Sequence, residues 1–276
     1  MTNRLVDPLL LERPLALEWP QREDRKPVRK GSGSRSKRAS MLALVLFVAA
    51  LGFGALAMPA AADRNTRCVG TVIGVHDNVV VPEGAHCTLL FATVRGNVHV
   101  LHDASLHIDG ATTVQGDVQA TDEPDWISIP SGNTFRGDIQ VTGVTGGPPP
   151  GPPFFGPRNL ICSNTVQNNI QILESAAGTS WSIGNGAAPP CGGSGLTIEH
   201  GNLQVEKNRG DVTIGNVTVG GAPVLDGPGG NLQAVENLSV SLFFNIVRQN
   251  LQCFDNRAVA GNGNVAEKKE GQCATV

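Results

Sequence analysis

The sequence predicts an all-β fold, a single-domain parallel β-solenoid with coils of about 20 residues. Three observations predict it: a short motif recurs along the chain, apolar and polar residues alternate within the motif, and the composition is rich in glycine and poor in aromatic residues. The 276 residues include 34 Gly, 18 Pro, no Tyr and only 4% aromatic residues. This composition disfavours a helical bundle, because a bundle interior needs many Leu and Ala residues at helical spacing.

Eight copies of a five-residue motif carry the prediction. The copies begin at positions 77, 96, 116, 137, 168, 201, 230 and 249, so their spacings are 19, 20, 21, 31, 33, 29 and 19 residues. Positions three and five are apolar and flank position four, as expected of a strand with one buried face. A recurring unit of this length, made of short strands and tight corners, is typical of a parallel β-solenoid.

The other motif positions predict columns of like side chains, because equivalent residues of stacked coils lie about 4.8 Å apart. Position one is usually Gly and position two is always Asn or Asp, which we interpret as turn residues that accept left-handed backbone conformations. Position two predicts a structural ladder of Asn78, Asn97, Asp117, Asp138, Asn169, Asn202, Asn231 and Asn250. Position four predicts an outward row and candidate interaction face of Gln119, Gln140, Gln171, Gln204, Gln233 and Gln252, with Gln272 from a degenerate ninth copy. This row fits either contact with another molecule or amide stacking within the solenoid.

The six cysteines all lie after residue 62, and no Cys-x-x-Cys pair is present. An even number of cysteines favours disulfides in an oxidising compartment over metal ligation. The motif register places Cys253 and Cys273 in one column a coil apart, at a separation that suits a disulfide. The sequence spacing favours nearest-neighbour pairs throughout: Cys68 with Cys87, Cys162 with Cys191, and Cys253 with Cys273.

The N-terminal residues predict export. Residues 1–40 hold ten Lys and Arg against five Asp and Glu, and are expected to form a disordered basic leader. Residues 41–62 are uncharged and end in small residues, which is typical of a signal peptide cleaved after Ala62. The alternative is an uncleaved membrane anchor formed by residues 41–58. Residues 63–276 are therefore expected to be secreted or to lie on the extracellular face of a bacterial cell envelope, with membrane contact only through the N-terminal segment.

Charge and proline content define two further properties of the exported part. Its net charge is −8, since residues 1–40 contribute +5 to a total of −3, which excludes nucleic acid as the favoured partner. The Pro-rich insertion at residues 144–157 must leave the solenoid wall, because proline cannot donate to a strand ladder. Within it, Phe154 and Phe155 either contact a partner or lipid, or fold back over the coils.

A family resemblance accompanies these motifs. The repeated Gly-Asn-Leu-Gln pattern and the ending Lys269-Glu-Gly-Gln-Cys273 resemble exported bacterial β-helix proteins of unassigned function, over about residues 68–276. Residues 70–141 are also similar to bactofilins, which are polymer-forming β-helical proteins with short Gly-containing coils. The resemblance implies a right-handed parallel β-helix and carries no implication for catalysis.

Three residue groups suggest chemistry, and each has a simpler explanation. A histidine and aspartate group suggests a metal site: His99, His102, Asp103, His107 and Asp109. His99 and His107 alternate with inward apolar residues and should point outward from different strands, so ordinary surface histidines are expected instead. An acidic group beside Trp126 suggests a sugar-cleaving edge, but a solvated turn explains it: Asp122, Glu123 and Asp125. Asn216 and Asn237 begin glycosylation motifs and are expected to be turn and strand residues. We therefore predict no catalytic residue, no metal and no cofactor.

The favoured function is that of an exported, non-catalytic structural or adhesive element that associates with itself through its ends or its Gln face, or contacts cell-envelope polysaccharide. One alternative is a carbohydrate-active lyase or hydrolase, which requires a cleft with acids near Trp126 or Trp181. Another is a carbohydrate-binding module that uses these two tryptophans as stacking surfaces.

Overall fold

The computed structural model describes residues 65–147, 159–184, 187–188, 191–192, 195–221 and 229–276. These residues form a long, unclosed parallel β-structure, which confirms the predicted solenoid. The predicted leader and signal segments, residues 1–62, lie outside the described residues, as does most of the Pro-rich insertion with Phe154 and Phe155.

The strands are short and follow one another closely. In the N-terminal half they are β1 (Asn65–Arg67), β2 (Gly70–His76), β3 (Asn78–Val81), β4 (His86–Val94), β5 (Val98–Val100), β6 (Ser105–Asp109), β7 (Thr113–Val114), β8 (Val118–Ala120), β9 (Trp126–Ile129), β10 (Thr134–Phe135), β11 (Ile139–Thr142), β12 (Asn159–Ile161) and β13 (Thr165–Val166). They continue as β14 (Ile170–Leu173), β15 (Trp181–Ile183), β16 (Ala187–Ala188), β17 (Cys191–Gly192), β18 (Leu196–Ile198), β19 (Leu203–Glu206), β20 (Asp211–Gly215), β21 (Val217–Val219), β22 (Leu232–Val235), β23 (Ser239–Phe243), β24 (Ile246–Phe254), β25 (Val259–Asn262) and β26 (Val265–Gly271), followed by the 3₁₀ helix η1 (Gln272–Thr275).

Strand pairing divides each coil into three faces, because strands pair in parallel with the equivalent strands of neighbouring coils. Face 1 contains the predicted motif and consists of β1, β3, β5, β8, β11, β14, β19, β22 and the ends of β24 and β26. Face 2 consists of the starts of β2 and β4, then β6, β9, β12, β15, β20, β23 and β25. Face 3 consists of the ends of β2 and β4, then β7, β10, β13, β18, β21 and the starts of β24 and β26. The antiparallel pair β16–β17 stands apart from these faces.

The core lies inside the coils and consists of stacked aliphatic columns. Motif position three alone supplies eight residues with no exposed surface: Val79, Val98, Val118, Ile139, Ile170, Leu203, Leu232 and Leu251. Each such side chain contributes about 1.5–3 kcal/mol by leaving water. Register is therefore strongly specified, since a one-residue slip would turn a whole column outward.

The corner between faces 1 and 2 turns through left-handed backbone. One residue per coil has a positive φ there, and most of these residues are not glycine: Gly84, Asp103, Glu123, Gly143, Glu174, Lys207, Glu236 and Asp255. Because a side chain in this conformation is strained, the surrounding backbone pairing must hold the turn in place.

At each end of the solenoid, the outermost strands pair with other described strands on one side only. Among the described residues, β1 and β2 pair only with β3 and β4, and β25 and β26 pair only with β23 and β24. At the C-terminal end, η1 buries Cys273, and Val276 packs against the core. A strand edge of this kind is where another chain can add a strand.

Candidate functional site

The eight position-two residues form a continuous ladder at the corner between faces 3 and 1. The backbone N–H of each residue from Asn97 onward donates to the side-chain Oδ1 in the preceding coil, at 2.8–3.1 Å. From Asn169 onward the side-chain amide donates to the same oxygen. The ladder satisfies corner N–H groups that the strands leave unpaired. Its members are Asn78, Asn97, Asp117, Asp138, Asn169, Asn202, Asn231 and Asn250.

The glycines before this ladder are required by close contact between coils. A Cβ atom would lie 2.0–2.4 Å from an atom of the preceding coil at Gly96, Gly116, Gly137, Gly201 and Gly230. The interpretation of motif positions one and two as left-handed turn residues is wrong, since none of these residues has a positive φ. The glycines permit the approach of two backbones, and the left-handed residues lie at the other corners.

The predicted Gln row lies on the outward side of face 1. Parallel pairing aligns Gln119, Gln140, Gln171, Gln204, Gln233 and Gln252 in one column. The row is partly cross-linked, because Gln171 donates to Gln204 at 3.4 Å and Gln233 donates to Gln252 at 2.7 Å. The ninth member is Glu270 and not Gln272. The register assigned to the degenerate copy is therefore wrong by two residues.

A second amide ladder, absent from the sequence prediction, is buried at the corner between faces 1 and 2. Each backbone N–H donates to the side-chain oxygen of the following coil at 3.0–3.2 Å. The side-chain amides of Asn208, Asn237 and Asn256 also donate to backbone carbonyls of a neighbouring coil. Its members are the buried residues Ser175, Asn208, Asn237 and Asn256, and Gln272, which is exposed at the C-terminal end. Asn237 is 1% exposed, so its glycosylation motif is inaccessible in the folded chain.

Face 3 carries an outward row of threonines that sequence reasoning also missed. The row consists of Thr93, Thr113, Thr134, Thr165, Thr197 and Thr218. It becomes aliphatic at both ends of the solenoid, with Val75 at the N-terminal end and Ile246 and Val265 at the C-terminal end. The signal was available, because a threonine stands four or five residues before most ladder positions.

Three disulfides join the predicted pairs: Cys68–Cys87, Cys162–Cys191 and Cys253–Cys273, with Cα–Cα distances of 5.4, 5.1 and 5.0 Å. The pairing agrees with the sequence prediction, but the predicted shared column for the last pair is wrong. Cys253 pairs in register with Gly271, and Cys273 lies beyond it in η1. The first pair is also offset by two residues, because Cys87 is in register with Gly70 and Cys68 lies two residues before it.

His107 is buried, which contradicts its assignment as an ordinary surface residue. It points outward from face 2 yet is only 7% exposed, with Nδ1 3.2 Å from Ser128 Oγ. Burial lowers the pKa of His107, whereas nearby Asp109 acts to raise it. Burial also lowers the pKa of His86, whose ring lies 5.0 Å from that of Trp126. The imidazoles are therefore held toward their neutral forms.

The other histidines of the suggested metal group do not converge with His107. His102 lies 3.3 Å from Asp103 and 3.7 Å from Glu123 at the corner between faces 1 and 2, whereas His99 lies on face 1 within the Gln column. In the part of the chain that the structure describes, no group of three or more His, Cys, Asp or Glu side chains is arranged to hold a metal ion.

The two tryptophans invoked for sugar binding are buried, with 5% of Trp126 and 1% of Trp181 exposed. Trp181 lies in the core and donates from Nε1 to Ser175 Oγ at 2.9 Å. Beside Trp126, Asp125 accepts a hydrogen bond from Ser105 at 3.2 Å. Neither ring therefore offers the exposed platform that stacking on a sugar requires.

A charged surface groove of about 690 Å³ follows the corner between faces 1 and 2. Its lining combines small residues with charged ones: Gly143, Thr145 and Ala176, and Glu123, Glu174, Lys207, Arg209 and Glu236. Lys207 lies 2.9 Å from Glu206, and this contact together with Glu236 and Glu174 raises the pKa of Lys207. The groove thus combines both charge signs within a few coils.

Comparison of the chain with protein-family models, with curated proteins and with solved structures finds no match. Among the described residues, no helix has the length and apolar character needed to span a membrane. The candidate functional features are therefore the chain's own surfaces: the two end coils, the Gln row of face 1 and the charged groove.

Proposed function

We propose that the protein is an exported, non-catalytic β-solenoid that serves as a structural element and assembles end to end with copies of itself. The observation that carries the proposal is the pair of open ends, where each terminal strand pairs with another described strand on one side only. A long, exposed strand edge is a template for pairing with another chain unless it is blocked.

The N-terminal edge has the features of such a template. Strand β2 is seven residues long, and its burial pattern is exposed or half-buried throughout. Val75 is 60% exposed at this end, and Val265 is 62% exposed at the other. Both residues belong to the outward column of face 3, so a second copy stacked in register brings them together. Head-to-tail stacking would then bury apolar side chains and complete the unpaired ladders.

The disulfides support a role outside the reducing cytosol. Two of them join terminal coils to their neighbours, at Cys68–Cys87 and Cys253–Cys273. Terminal repeats of a solenoid contact only one neighbour and fray most readily. Covalent staples at both ends hold the assembling edges in shape, and disulfides persist in oxidising compartments.

Electron microscopy and light scattering of the oxidised, exported protein test the proposal. We expect filaments whose length increases with protein concentration, and a shift to monomers in Val75→Asp/Val265→Asp, because two exposed carboxylates meet at the joint. The matched control Thr134→Asp changes the same column in the middle of face 3 and should leave assembly intact. A protein that stays monomeric at about 100 µM would contradict end-to-end assembly.

A further inference from the structure

The outward side of face 1 is an extended, nearly uncharged surface in the middle of the solenoid. Its central row runs from His99 through the Gln residues to Gln252, and every member is half-buried. The row beside it holds Thr142, Leu173, Glu206, Val235 and Phe254. Between His99 and Gln252, Glu206 is the one acid of these two rows, and it is engaged by Lys207 and Gln204; the central row continues to Glu270 in the last coil.

The other two faces differ from face 1 in accessibility or charge. On face 2 the outward positions of the central coils are already buried: Ser105, His107, Ser128, Leu160 and Ser182. On face 3 the threonine row is followed by a row that includes Arg95, Arg136 and Glu199. Interface centres are depleted in charged residues. Face 1 is therefore the face best suited to pack against another protein surface.

The spacing of face 1 selects the kind of surface that fits it. Its side chains repeat at the strand separation of about 4.8 Å, and another β-sheet face presents the same repeat. Amide rows at this spacing interdigitate in dry interfaces between paired sheets. A second copy of this chain supplies such a row with no net charge to oppose it.

We propose that two copies pack laterally through face 1, with their Gln rows in contact. The row from His99 to Gln252 covers six coil steps, or about 29 Å along the solenoid axis. Each face 1 strand is about 13 Å long, so the contact area is about 400 Å² per copy. Two copies together bury about 800 Å², which is below the roughly 1,200 Å² of a stable complex. A single pair is therefore weak and reversible.

End-to-end assembly strengthens this lateral contact. Copies joined in a filament present face 1 repeatedly, so the second and later contacts become intramolecular. This stronger lateral contact between filaments rests on the proposed function. The lateral pairing of two single copies does not depend on it. Paired filaments are expected where both contacts operate, and single filaments where face 1 is altered.

Sedimentation equilibrium of the end-blocked protein, Val75→Asp/Val265→Asp, isolates the lateral contact. We expect a reversible dimer that is populated at about 0.5 mM. Adding Gln171→Lys/Gln233→Lys should return it to monomer by placing four positive charges in the interface. The matched control Thr165→Lys/Thr197→Lys alters face 3 at neighbouring coils and should leave the dimer unchanged.

A monomeric end-blocked protein at about 1 mM would overturn the inference, as would a dimer that the face 3 substitutions abolish and the face 1 substitutions do not. Far-UV circular dichroism and urea unfolding establish that each variant is folded, and Gln140→Lys/Gln204→Lys provides a second face 1 variant. If the protein without the end-blocking substitutions forms only single filaments, the lateral inference is contradicted and the proposed function is not. If that protein forms a reversible dimer and no filaments, the proposed function is contradicted and the lateral inference is not.

Discussion

At the scale of the residue, asparagine has two different roles in this solenoid. In the ladder between faces 3 and 1 the side chain acts chiefly as an acceptor, and carboxylates serve equally well at Asp117 and Asp138. In the buried ladder between faces 1 and 2 the side chain must also donate, as Asn237 does to the Val205 carbonyl and to Asn256 Oδ1, both at 3.0 Å. Only an amide satisfies both requirements at that corner.

This difference predicts the effect of replacing asparagine by aspartate. Asn237→Asp should lower the free energy of unfolding by about 3 kcal/mol, because a buried carboxylate would face two oxygen acceptors. Asn202→Asp, in the half-buried first ladder, should lower it by less than about 1 kcal/mol. Urea unfolding at pH 7 measures both values. Equal losses at the two positions would show that the ladders do not differ in this way.

His107 provides a prediction about pH. Its folded-state pKa is lowered by burial, so below about 6.5 the unfolded chain binds the proton more readily than the folded chain. Stability should therefore fall as pH drops from 7.5 through 6.5, and level off once the folded state also protonates. His107→Gln should reduce this fall in urea midpoints, with His99→Gln as the matched control for loss of an imidazole. An undiminished fall in His107→Gln would rule out this residue as the cause.

At the scale of the element, the repeat predicted face 1 position by position, whereas on the other faces it predicted only short alternating runs, such as residues 105–108 and 211–214, which the structure shows as β6 and β20. Face 1 repeats five adjacent residues in every coil, so its ladder and Gln row stand out. The amides of the buried corner occur only in the C-terminal coils, and the equivalent corner positions earlier in the chain include Ala85, Ala104 and Pro124. Two-residue strands such as β7 are too short to show alternation.

Burial on the outward side of an element was likewise not readable from alternation. Period-two alternation assigns His107 to the outside of β6, and the structure agrees about its direction. Direction does not determine exposure, since outward residues of neighbouring coils pack against one another, as His86 and Trp126 do across Ser105. The predicted register of the last coil was wrong for another reason: the chain leaves face 1 at Gly271 and enters η1, so Gln272 does not lie on a face 1 strand.

At the scale of the whole molecule, a solenoid is quasi-one-dimensional, and each coil contacts only its neighbours. Removing one complete coil should therefore leave a shorter solenoid with its columns intact. Deletion of residues 97–116 removes 20 residues and joins Gly96 directly to Asp117, which recreates the motif. Val79 would then stack on Val118, and Thr93 on Thr134, as the existing columns require.

This deletion should unfold cooperatively in urea, with the slope of the transition reduced by about a tenth in proportion to the lost buried surface. Deletion of residues 97–106 is the control, because it removes half a coil and shifts strands relative to the aliphatic columns. The 20-residue deletion should therefore lower the free energy of unfolding less than the 10-residue deletion does. The number of residues removed cannot by itself explain that result. If instead damage increased with the number of residues removed, the stability of this protein would not be a sum over stacked coils.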